Sequence, residues 1–79
     1  MTNLEESIYQ LICTLEYFPG KSVDELKSVE WLRNTSIDGI SLWLQQGIRR
    51  GYIYDKVRKD GELIYYASAK GKKQRDKFI

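Results

Sequence analysis

The sequence contains no histidine. His-based triads, imidazole proton shuttles and ordinary zinc catalysis therefore have no residue to carry them. A single cysteine, Cys13, rules out an internal disulfide and a Cys-rich zinc site. Cys13 falls on the apolar side of a helical pattern and reads as a small buried hydrophobe, not an activated nucleophile. No glycine-rich loop is present: Gly39, Gly47 and Gly51 lie in or at the end of one helical segment and match neither a phosphate loop nor a dinucleotide fingerprint. The carboxylates are spread over helix faces without a convergent pair. No enzyme, cofactor, metal or small-molecule ligand is expected on these grounds. No apolar run approaches the ~18 residues of a membrane span, and the start Met1–Glu6 lacks the basic residues of a secretion signal. The expectation is a soluble protein, cytoplasmic or nucleoid-associated, with no membrane partner.

What is present suffices for one small α+β domain over residues 1–79. Residues 1–68 would form a core and hairpin, and residues 69–79 a basic C-terminal tail. With 79 residues, 42% hydrophobic and 13% aromatic, the chain sits near the lower limit for a self-supporting core. The net charge of +2 conceals a split. In residues 1–48 three basic side chains face seven acidic ones, whereas residues 49–79 carry ten basic against four acidic. One end of the protein can thus attract anions.

In chain order, Asn3 with Glu6 offers a capping box. Leu4, Ile8, Leu11, Ile12 and Leu15 then recur at helical spacing as far as about Tyr17, where Pro19-Gly20 stops the helix. The aromatics Tyr9, Tyr17 and Phe18 are expected to add core packing, with a partner surface as the alternative. Ser22 and Glu25 repeat the capping box and open a short second helix, which either continues through Leu32 or ends near Ser28. Trp31 is expected to anchor that connection in the core.

The organising stretch is Ser36–Ile53. Ile37, Ile40, Leu44 and Ile48 form an inward stripe, while Asp38, Gly39, Leu42, Gln45, Gln46, Arg49 and Arg50 lie opposite. Ser36 caps the start, Asp38 suits the positive end of the helix dipole, and Gly51 supplies the left-handed stop. Two strands follow, Ile53 to Arg58 and Leu63 to Ser68, around Asp60-Gly61. That dipeptide predicts a two-residue type I′ turn with Arg58 opposite Leu63 and Val57 opposite Ile64. In this register Ile53, Val57, Ile64 and Tyr66 face the core, and Lys56, Arg58 and Tyr65 face out. Ser68 caps a final helical turn or two, weakened by Gly71.

The segment Ile40–Ile53, with its Gly51-Tyr52-Ile53 ending, resembles the recognition helix and first strand of winged helix-turn-helix transcription regulators. Tyr65–Lys72 is similar to the end of the wing and the following Thr-x-x-Gly-Lys step of the MarR and PadR families, with Ser68 in place of Thr. In size and element order the chain also resembles the small PapI-like regulators. The resemblance implies a winged helix-turn-helix fold: a three-helix core, a two-stranded β-wing and a short basic C-terminal segment. It further implies sequence-specific binding of double-stranded DNA by a small transcriptional regulator, with the helix of about residues 36–50 in the major groove and wing residues 56–63 on the backbone or in the minor groove.

The residue types suit such a role. Gln45 and Gln46 can bond adenine, Arg49 guanine or phosphate, and Leu42 a thymine methyl. Gly39 allows close approach, and Ser36 and Ser41 can donate to phosphates. Arg50, Lys56, Arg58, Lys59, Lys70, Lys72 and Lys73 add positive charge for the backbone. Other readings stay open. One is a winged-helix protein-interaction or assembly module, such as a replication or partition accessory, that uses exposed Leu42 and Trp43. Another is single-stranded RNA on an aromatic platform of Tyr54 and Tyr65. A homodimer on palindromic half-sites is open too, with Tyr9 on the first helix and the Phe78–Ile79 end as candidate faces.

Overall fold

The computed structural model describes residues 4–78, so the expected Asn3 cap and the Ile79 end lie outside the described residues. The elements run α1 (Leu4–Tyr17), α2 (Val23–Leu26), a 3₁₀ turn (Glu30–Leu32), α3 (Ile37–Arg49), β1 (Ile53–Val57), β2 (Leu63–Ala67) and α4 (Ala69–Phe78). This is a small α+β arrangement: among the described residues, four α-helices and one two-stranded antiparallel sheet. No helix among these residues is long and apolar enough to cross a membrane.

The core follows the apolar spacing of the helices. Ile8, Leu11, Ile12 and Leu15 of α1 are buried together with Leu26, Leu32, Ile40 and Leu44, and β2 closes the cluster with Tyr65 and Ala67. Burying side chains of this size contributes roughly 1.5–3 kcal/mol each. Tyr9 belongs to this core. Its ring stacks on Tyr52 at 6.4 Å and its hydroxyl accepts from Gln74 Nε2 at 3.4 Å, so its side chain is engaged within the chain. Tyr17 and Phe18 do not add to the core as expected. They follow the last turn that packs inward, and Tyr17 is 82% exposed. Cys13 is half-buried instead of fully buried.

Helix α2 is a single turn. Its capping box is complete, since Glu25 N–H donates to Ser22 Oγ at 3.2 Å and Ser22 N–H donates to Glu25 Oε1 at 2.9 Å. After Leu26 the chain tightens into the 3₁₀ turn, where Trp31 sits half-buried. Trp31 Nε1 donates to Thr14 Oγ1 at 2.9 Å and its ring stacks on Trp43 at 5.9 Å. Trp43 is therefore a packing residue and not an exposed one.

Helix α3 keeps its expected ends. Gly39 N–H donates to Ser36 Oγ at 3.0 Å. Past Arg50, Gly51 adopts φ +78°, its N–H donates to the Ile48 carbonyl, and Tyr52 N–H donates to the Gly47 carbonyl, the bond pair of a Schellman stop. The inward stripe is shifted: Ile40, Leu44 and Gly47 are buried, Ile48 is half-buried and Ile37 is 45% exposed. Side chains lean towards the helix N-terminus, so that of Ile37, at the first position, projects past the end of its own helix. A Cβ at Gly47 would stand 2.5 Å from Ile53 Cδ1, so the glycine lets β1 lie close against α3.

The hairpin departs from the expected register by one residue. Val57 pairs with Leu63, Lys56 with Ile64, Asp55 with Tyr65, Tyr54 with Tyr66 and Ile53 with Ala67. A type I′ turn needs positive φ at Asp60 as well as Gly61, but among the described residues only glycines have positive φ. The loop instead has three residues. Gly61 N–H donates to the Arg58 carbonyl and Arg58 N–H donates to the Glu62 carbonyl, both at 2.8 Å, with Gly61 at φ +88°. The Asp60 carboxylate fixes this form by accepting from the Arg58 guanidinium and from Glu62 N–H. A slip of one exchanges the two faces of a strand. Tyr65 thus joins Ile53 in the core and Tyr66 shares a face with Tyr54 and Lys56, while Val57, on the core-side face but near the loop end of the hairpin, is 69% exposed. Ile64 is buried as expected, but on that same second face. The free edge of β2 is covered by the α1–α2 connection, where Gly20 N–H donates to the Tyr65 carbonyl and Tyr65 N–H to the Lys21 carbonyl.

Residues 69–78 form ten residues of helix instead of a turn or two. Ser68 accepts from Gly71 N–H at 3.0 Å and donates to the Gly51 carbonyl at 2.6 Å, so one hydroxyl caps α4 and ties it to the stop of α3. Gly71 is buried, and a Cβ there would collide with the Tyr52 backbone. Its presence in the helix reflects close packing. Arg75 pairs with Glu16 and fastens the helix to α1.

Candidate functional site

At 100° per residue the outermost line of α3 is Asp38, Leu42, Gln45 and Arg49, and all four are exposed. Ser41 and Gln46 flank this line and are half-buried. Among the described residues Gln45 and Arg49 make no side-chain hydrogen bond or ion pair within the chain. Leu42, at 54% exposure, presents an apolar surface between them and Asp38. The line is acidic at the N-terminal end and basic at the C-terminal end, which matches the helix dipole at both ends.

Other expected residues are engaged internally. Ser36 spends its acceptor on the helix cap. Gly39 faces its own cap, where an added Cβ would stand 3.1 Å from Thr35 Cγ2 and 3.3 Å from Ser36 Oγ. Arg50 lies 3.8 Å from Glu5 Oε1 of α1. Lys27 Nζ donates to the Thr35 carbonyl at 2.7 Å and so holds the turn leading into α3.

The hairpin cations have different fates. Lys59 stands exposed at the tip. Arg58 does not: its guanidinium forks onto Asp60 and also donates to Glu25 Oε1 at 3.0 Å. The bonds it donates to Asp60 first, and then to Glu25, push the Arg58 guanidinium pKa upward. With two carboxylates on one guanidinium, this spot is locally acidic and offers a phosphate little. Lys56 Nζ lies over two rings, 5.9 Å from the Tyr54 centroid and 5.6 Å from that of Tyr66. Tyr65 cannot form an aromatic platform with Tyr54, because it is buried on the other face. Burial first, and the nearby Asp55 charge second, raise its phenol pKa.

Helix α4 brings further cations to the end of α3. The Ser68–Gly51 bond and Lys70 Nζ, 5.7 Å from the Tyr52 ring centroid, place its first turn beside the α3 stop. Lys70, Lys73 and Lys77 then follow one flank at i, i+3 and i+7, with Lys72 beyond them; Lys70, Lys72, Lys73 and Lys77 are all exposed. Lys77 joins the expected cations Lys70, Lys72 and Lys73 because the helix continues to Phe78. The Ser68 cap three residues before a glycine was the available signal for an ordered helix.

Elsewhere, an open cleft of about 470 Å³ is lined by Phe18, Lys21, Glu25, Ser28, Val29 and Glu30. Among the described residues no group of three or more Cys, Asp or Glu side chains is arranged to hold a metal ion. Comparison with protein-family models, curated proteins and solved structures found no match for this chain.

Proposed function

We propose that the chain is a winged helix-turn-helix protein that binds duplex DNA as a small transcriptional regulator, with α3 in the major groove and the β1–β2 hairpin as its wing. One observation carries the reading. The exposed line of α3 keeps Leu42, Gln45 and Arg49 without internal partners, while the lysine-bearing start of α4 is fastened to the end of that same helix. Gln45, with Gln46 beside it, would bond adenine edges, Arg49 guanine or phosphate, and Leu42 a thymine methyl. Lys59, Lys70, Lys72 and Lys73 would neutralise phosphates. Arg58 has a different part from the one its charge suggested: it holds the wing in shape.

A second reading has its own support. Ile37 and Leu42 on α3, and the Val57–Leu63 pair on the hairpin, are exposed apolar side chains, and exposed apolar patches mark protein contacts. An interaction or assembly module would use them.

Selection of bound sites from random duplex DNA separates the two. The expected result is enrichment of a motif, lost in Gln45→Ala/Arg49→Ala, with affinity that falls steeply as salt rises. Absence of both enrichment and salt-dependent duplex binding would overturn the DNA reading in favour of a protein partner.

A further inference from the structure

Tyr54 and Tyr66 are direct partners in the hairpin register, and their rings lie 5.2 Å apart at an interplanar angle of 13°. The pair is closed on one side only. Beyond Tyr66 runs the Gly20 backbone, so close that an added Cβ would stand 2.9 Å from the Tyr66 hydroxyl. Beyond Tyr54 there is no further strand among the described residues, since β1 is the edge of the sheet. Tyr54 is 42% exposed. A two-ring ladder thus ends in an open aromatic surface.

Lys56 decides what that surface suits. Its ammonium already occupies the cation position over both rings, so a cationic ligand would meet like charge. It has no carboxylate partner among the described residues, and Asp60 and Glu25 are both held by Arg58. An open ring beside an unpaired ammonium complements a planar group joined to an anion. A nucleotide with an unstacked base is such a group.

We propose that the Tyr54–Lys56–Tyr66 face binds single-stranded nucleic acid, with a base stacked on Tyr54 and the adjoining phosphate at Lys56. Bases in a duplex keep their faces covered by neighbours, so this site takes unpaired strand only and stands apart from the α3 line. Stacking of this kind tolerates any base.

The test is titration of a fluorescein-labelled oligo(dT) at low salt, read by polarisation, beside a labelled duplex. Tyr54→Ala is expected to weaken oligo(dT) binding about tenfold or more, the range of one lost base stack. Tyr54→Phe, which keeps the ring, is expected to bind as the unmodified protein does. Lys56→Gln should lower the oligo(dT) salt slope by about 0.7, the share of one phosphate on a single strand. Arg49→Ala should leave oligo(dT) affinity unchanged, which separates this site from duplex binding by α3. No binding of oligo(dT) by the unmodified protein, or equal binding by Tyr54→Ala, overturns the proposal whatever the duplex result. Loss in Tyr54→Phe as well as Tyr54→Ala also overturns it, because stacking needs only the ring.

Discussion

Arg58 Nη1 donates to Glu25 Oε1 at 3.0 Å, joining the hairpin to the cap of α2 across 33 residues of sequence. Glu25 is held below its ordinary 4.5 first by the bond from Ser22 N–H and then by Arg58. Asp60 is held below 3.8 mainly by its bonds from Arg58. A carboxylate whose pKa is lowered in the folded state stabilises fully above its unfolded value, and that contribution is lost as pH falls through the folded value. The fold should therefore be insensitive to these two groups above about pH 5 and weaken below that. Arg58→Ala removes its share from both carboxylates and leaves the Ser22 share at Glu25. Thermal melts between about pH 3 and 7 are expected to show a shallower acid decline in Arg58→Ala than in the unmodified chain. Identical acid profiles would mean that the fork contributes nothing.

Gly71 separates two opposite expectations. Helix propensity alone makes Gly71→Ala stabilising by about 1 kcal/mol. The packing makes it destabilising, since the new methyl meets the Tyr52 backbone, which cannot rotate away as a side chain would. Overpacking at such a contact costs about 1–3 kcal/mol, and α4 would lift from α1. Urea unfolding is expected to give a lower midpoint for Gly71→Ala, with reduced helical circular dichroism. A raised midpoint would place α4 away from Tyr52.

Much of this arrangement was legible in the sequence because local rules carried it. The Ser22–Glu25 box, the Ser36 cap, the Gly51 stop and the α1 stripe each depend on residues within one or two helical turns, and each lies where its residue types put it. The failures came where tertiary contacts decided. Asp60-Gly61 is compatible with two hairpin loops, and the longer one, in which Arg58 bonds both Asp60 and the distant Glu25, turned Tyr65 inward and Tyr66 to the opposite face. Residues 69–78 have little apolar spacing, but Gly71, Ser68 and Arg75 dock them through backbone approach, a hydroxyl and an ion pair, none of which hydrophobic periodicity reports. At the candidate site, exposure of Gln45 and Arg49 follows from their place on the helix, whereas the internal pairing of Arg58 depends on a residue 33 positions away.

The lysine flank of α4 makes a quantitative claim about salt. Lys70, Lys73 and Lys77 lie on one side of a helix fixed to the α3 stop. If two of these ammonium groups meet duplex phosphates, Lys73→Ala/Lys77→Ala should reduce the log–log salt slope of duplex binding by about 1.8, at about 0.9 per phosphate. The selected motif should stay the same, because phosphate contacts carry no base information. An unchanged slope would confine the DNA footprint to α3 and the hairpin.

Leu42 and Trp43 are neighbours with opposite expected consequences. Trp43 stacks on Trp31 at an interplanar angle of 10°, and Trp31 in turn donates to Thr14 of α1, so the pair fastens α3 to the 3₁₀ turn and α1. Trp43→Ala removes the stack and leaves a gap beside Trp31, at a cost of about 3 kcal/mol. Leu42 packs on nothing comparable and is 54% exposed, so Leu42→Ala should change stability by less than about 0.5 kcal/mol. If α3 reads DNA as proposed, loss of an apolar contact to a thymine methyl should lower duplex affinity by about tenfold or less and relax one position of the selected motif. Denaturation and duplex titration on both variants check the pair together. A Leu42→Ala protein that keeps both its stability and its full selectivity would leave Gln45 and Arg49 as the reading residues and free Leu42 for a protein contact.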